Sequence, residues 1–72
     1  MKSRYSILIQ WSDEDQCYIV SLPEFGKYAK THGDTYEEAL KNAQEVLELL
    51  IEDKNNLPKP NVYKSLAAHS NV

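Results

Sequence analysis

The sequence predicts an α+β fold, a two-layer sandwich in which a three-stranded antiparallel sheet packs on one helix in the order β-β-β-α(-β). Three observations predict it. Residues 33–53 place apolar side chains at three- and four-residue steps, the repeat of a single helix face. Residues 5–11 (Y-S-I-L-I-Q-W) put Tyr5, Ile7, Ile9 and Trp11 on one side of a strand. Residues 17–22 (C-Y-I-V-S-L) are rich in β-formers and follow after a short polar connection, so the two strands form an antiparallel hairpin.

The helix is the longest element and carries its own start and stop signals. Thr35 suits the N-cap, with Glu38 three residues on to complete a capping box; Asp34 is the alternative cap. Tyr36, Ala39, Leu40, Ala43, Val46, Leu47, Leu50 and Ile51 form the face expected to be buried. Glu37, Lys41, Glu45, Glu48 and Glu52 fall on the opposite face, with Glu37 and Lys41 in the favourable i, i+4 order. Asn55, Asn56 and then Pro58 end it. Gly33 reads as a residue of chain geometry and not of phosphate binding.

Within the hairpin, pairing Trp11 with Cys17 sets Ile9 against Ile19 and Leu8 against Val20. One sheet face then holds Tyr5, Ile7, Ile9, Trp11, Cys17 and Ile19; the other holds Leu8, Tyr18, Val20 and Leu22. A single helix covers one face only, so the second is expected as an exposed apolar interface, and a bulge would redistribute the two sets. Pro23 and Gly26 end the hairpin. Residues 27–32 are expected as a third strand and residues 61–66 as a short last one. The expected organisation is one domain over residues 1–66 and a flexible tail over 67–72.

A chain of 72 residues supports one small core, and its size favours self-association or a partner. The net charge is −3, with Asp34, Glu37, Glu38, Glu45, Glu48, Glu52 and Asp53 set against Lys41 along the helix. That face repels a phosphate backbone, which argues against nucleic acid, and it suits either plain solvation or a basic protein partner. Lys27, Lys30, Lys59 and Lys64 would have to converge to support RNA binding, which is therefore not expected. One cysteine, Cys17, forms no disulfide within the chain, and no stretch is long and apolar enough to cross a membrane; a cytoplasmic protein is expected.

No catalytic, cofactor or metal site is expected. Asp13, Glu14 and Asp15 cluster without the spacing of a cation loop and read as a solvated hairpin tip. His32 and His69 lack a convincing nucleophile, because Cys17 sits within a strand as a small filler. The candidate protein interface comprises Leu8, Tyr18, Val20 and Leu22 from the second sheet face, the aromatic anchors Trp11, Phe25 and Tyr28, and the helix acids Glu45, Glu48 and Glu52. Trp11 also reads as a cover for the edge of the core.

Two stretches carry a family resemblance. Residues 18–25 (Y-I-V-S-L-P-E-F) follow an acidic turn, and residues 31–40 (T-H-G-D-T-Y-E-E-A-L) open the helix. Together they resemble the HicB-like antitoxin domain over residues 5–60. The resemblance implies a partial ribonuclease-H-like or double-stranded-RNA-binding-domain-like sandwich. It also implies a homodimer or tetramer and a partner, a small basic HicA-like ribonuclease toxin that the domain masks. In the turn the inner proline and the cysteine of the family's P-G-C pattern are absent, with Phe25-Gly26-Lys27 in their place. Residues 61–72 are too few for the family's C-terminal DNA-binding region, so direct DNA binding is not expected. The alternative is a stand-alone homo-oligomeric structural or interaction domain without a toxin.

Overall fold

The computed structural model describes residues 3–53 and 56–65. Three strands, β1 (Leu8–Ser12), β2 (Cys17–Ser21) and β3 (Lys30–Gly33), form an antiparallel sheet in the order β1-β2-β3. One helix, α1 (Tyr36–Glu52), follows directly and packs on the sheet. The expected α+β class and strand order are those observed.

The hairpin register differs by one residue from the expected one. Ser12 pairs with Cys17, Trp11 with Tyr18, Ile9 with Val20 and Leu8 with Ser21. The cause lies in the turn. Gln16 adopts a positive φ of 54°, and its N–H donates to the Ser12 carbonyl at 2.8 Å, so the connection closes around residues 13–16. Because side chains alternate, the shift exchanges the faces of the second strand. Tyr18, Val20 and Leu22 therefore join Ile7, Ile9 and Trp11 on the helix side, while Gln10, Cys17 and Ile19 lie outside with Leu8. The outer face is consequently mostly polar, and the continuous apolar patch expected there does not form.

The ladder stops where Pro23 would next have to donate. Pro23–Phe25 forms a single 3-10 turn, and Gly26 at φ 96° returns the chain. Lys27 and Tyr28 belong to this return and not to a strand; Ala29 donates to the Gly26 carbonyl at 3.2 Å and accepts from Leu22 at 3.0 Å. The third strand thus begins at Lys30. It ends at Gly33, where a side chain is excluded. An added Cβ would stand 2.7 Å from Ala39 Cα and 2.9 Å from Glu38 C, with the Ala39 nitrogen closer still. The helix backbone is seated directly on this glycine.

The helix starts as its sequence dictates. Thr35 is extended, its hydroxyl accepts from Glu38 N–H at 3.0 Å, and the Glu38 carboxylate in turn accepts from Asp34 N–H at 2.8 Å. Ala39, Ala43 and Leu47 bury against Val20 and Leu22 to form the fully buried core, ringed by Tyr5, Ile7, Ile9, Tyr18, Phe25, Ala29, Val46, Leu50 and Ile51. Small residues at 39 and 43 let the helix lie close to the sheet.

The Glu24 carboxylate closes the far end of the sandwich. It accepts from Ser6 N–H at 3.0 and 3.1 Å, from Ser6 Oγ at 3.0 Å and from Asn61 N–H at 2.8 Å. Beside it the Tyr5 hydroxyl donates to the Pro58 carbonyl at 2.6 Å, and Tyr5 meets Phe25 edge-on with centroids 4.7 Å apart. Residues 61–65 form no strand, because the Asn61 N–H is spent on Glu24 and Pro58 and Pro60 have no donor to offer a ladder. The tail expected over 67–72 lies outside the described residues.

Candidate functional site

Most of the helix contact is with β3, less with β2 and least with β1. Asn42, on the flank toward β3, donates from its side chain to the His32 carbonyl at 2.7 Å. Leu40 projects about 200° around the axis from Asn42, given 3.6 residues per turn, and so lies on the flank away from β3. This offset leaves part of the helix-side sheet surface uncovered.

The uncovered part is an aromatic strip. Trp11 and Tyr18, cross-strand partners, meet edge-on with centroids 5.1 Å apart. Tyr18 and Tyr36 meet at 4.4 Å with their planes tilted by 31°. The strip thus runs from β1 across β2 to the first turn of α1. Trp11 is 49% exposed, Tyr36 61% and Leu40 42%, with Tyr18 partly buried between them. Tyr36 and Leu40, expected in the core from their helical spacing, lie on this surface because the helix sits toward β3.

Carboxylates border the strip. Trp11 Nε1 donates to Asp13 Oδ1 at 2.8 Å, which fixes the indole and places an anion at its end. Burial pushes the Tyr18 hydroxyl above its ordinary pKa, and Tyr36 and the Glu37 carboxylate push it the same way. Burial, followed by Asp15 and Asp34, raises the neighbouring Cys17 thiol, which therefore stays protonated at neutral pH. The surface combines π faces with negative potential.

The other candidate residues do not join this strip. Val20 and Leu22 are fully buried and cannot contribute to a surface; the register shift put them under the helix. Leu8 is half-exposed on the opposite sheet face. Phe25 is partly buried against Tyr5 and belongs to the core rim. Tyr28 is 87% exposed in the return loop, with Lys27 Nζ 5.2 Å from its ring centre. Glu45, Glu48 and Glu52 are exposed on α1, as their spacing requires.

Asp13 and Asp15 are committed to the hairpin turn: Asp15 N–H donates to Ser12 Oγ at 3.1 Å, and Gln16 Nε2 donates to the Asp13 carbonyl at 2.7 Å. Among the described residues no three His, Cys, Asp or Glu side chains converge as metal ligands. His32 is exposed on β3 opposite Ile19; His69 is outside the described residues. No described helix is long and apolar enough to cross a membrane. Compared with protein-family models, curated proteins and solved structures, the chain matches none of them.

Proposed function

We propose that this chain is a protein-binding module of the HicB-like antitoxin type, which masks a small basic ribonuclease toxin by occupying its RNA-binding surface. The observation that carries the reading is the exposed aromatic strip of Trp11, Tyr18 and Tyr36 with the Asp13 carboxylate at its end. Exposed aromatics supply contact area at low entropic cost, and neighbouring carboxylates steer and orient a cationic partner. The β-β-β-α order and the capped start of α1 support the same reading. The module acts by occlusion and performs no chemistry itself. The test is RNA cleavage by the product of the adjacent gene, titrated with this chain. Inhibition complete near equimolar addition is the expected result; cleavage unchanged by excess chain overturns the reading.

A second reading, a homo-oligomeric interaction domain, draws on the edge of β1 that no other described strand pairs. Its residues Leu8–Ser12 contain neither proline nor charge, the usual guards against edge pairing. A sedimenting mass that stays at twice or four times the monomer, with or without the product of the adjacent gene, would favour it.

A further inference from the structure

The aromatic strip and the unguarded edge of β1 are neighbours, because Trp11 belongs to both. A strand added to that edge would continue the sheet and carry alternate side chains over its helix side, past Ile9 and Trp11. Its polar backbone would pair with the β1 groups that no other described strand meets. The charge pattern selects what those side chains are. The Asp13 carboxylate stands at the indole, whereas the cation Lys30 lies on the other sheet face, bonded to Ser21 Oγ at 3.1 Å. An anion at the edge of an exposed indole face forms a receptor for a planar cation.

We propose that an extended, arginine-bearing segment of a protein partner adds to β1, with a guanidinium seated on the exposed face of Trp11 beside Asp13. This rests on the reading of the chain as a module for a basic protein and names the place and chemistry of docking. A guanidinium suits the strip better than an ammonium. It is flat and stacks on aromatic faces, and it can donate to Asp13 from its edge while its face stays on the indole.

Trp11 is the one tryptophan of the chain, so its fluorescence reports the strip directly. The probe is a synthetic peptide of alternating arginine and threonine, with a second peptide in which citrulline, neutral and of the same shape, replaces each arginine. The arginine peptide should change Trp11 emission saturably, and the citrulline peptide should bind about tenfold more weakly or worse. Asp13→Asn and Asp13→Ala, at an exposed position, should each weaken the arginine peptide, while circular dichroism shows the helix retained. Equal binding of the two peptides, no saturable change, or variants that bind as the parent does would overturn the proposal. So would Trp11 emission that depends on the concentration of the chain alone, since a second copy would then be the occupant. The two readings separate cleanly. A toxin complex that forms with Trp11 unperturbed overturns the docking site alone. Arginine-peptide binding without toxin inhibition supports the site and overturns the antitoxin role.

Discussion

Gly33→Ala is the sharpest test of how the helix is seated. Gly33 is buried in β3 opposite Tyr18, and its φ is one that any residue tolerates, so the cost of a side chain is purely one of space. The atoms the new methyl would meet are backbone atoms of Glu38 and Ala39, which no rotamer change can move. Ala39 N–H donates to the Thr35 carbonyl at 2.9 Å, and Thr35 and Glu38 are locked in the cap, so the first turn must lift as a unit. Restoring an ordinary carbon–carbon separation from 2.7 Å requires a displacement of about 1 Å. Overpacking of this kind costs about 2–3 kcal/mol, against a gain of about 0.4–1 kcal/mol from a stiffer unfolded chain. The net loss of about 1–2.5 kcal/mol corresponds to a fall in Tm of about 5–20 °C for a domain of this size. Thermal unfolding followed by circular dichroism measures it. A Tm unchanged or raised would mean that the helix does not rest on Gly33.

Other expectations follow from the same contacts. Thr35→Ala removes the cap to Glu38 and should cost about 1 kcal/mol in urea unfolding, with Thr35→Ser recovering most of it. Leu47→Ala should cost about 2–5 kcal/mol, because the side chain is fully buried between helix and sheet. Partial burial pushes the Glu24 carboxyl upward, but hydrogen bonds from Asn61, its own backbone and Ser6 outweigh this and hold it below the usual carboxylate value. A depressed pKa contributes stability that is present above the unfolded value of about 4.3 and is lost as pH falls through the folded value. Glu24→Gln should therefore lower Tm at neutral pH and flatten its decline in acid; parallel curves for the two proteins would count against the clasp. Tyr36→Ala, at an exposed position, should leave Tm within a few degrees while weakening a basic partner.

The sequence made the helix legible to within a residue or two, because capping by Thr35 and Glu38 is a local device and the apolar spacing continues for four turns. It also marked Gly33 as a geometric residue. The hairpin was legible but its register was not. Register depended on Gln16 taking a left-handed conformation, which glutamine does not advertise, and one residue of slip exchanged Tyr18, Val20 and Leu22 between faces. Trp11 stood out as an anchor from composition alone. Tyr36 and Leu40 did not, because periodicity tells which residues share a helix face and not which strand that face covers. The Glu24 clasp joins residues 18 and 37 positions away, and no local pattern foretells it.

If a basic protein covers the aromatic strip, sedimentation velocity will show it. The purified chain, run alone and then mixed with the product of the adjacent gene, should give a new, heavier species on mixing, weakened when Tyr36 is replaced by alanine. Two components that sediment as they do separately would mean that the strip is not the docking surface.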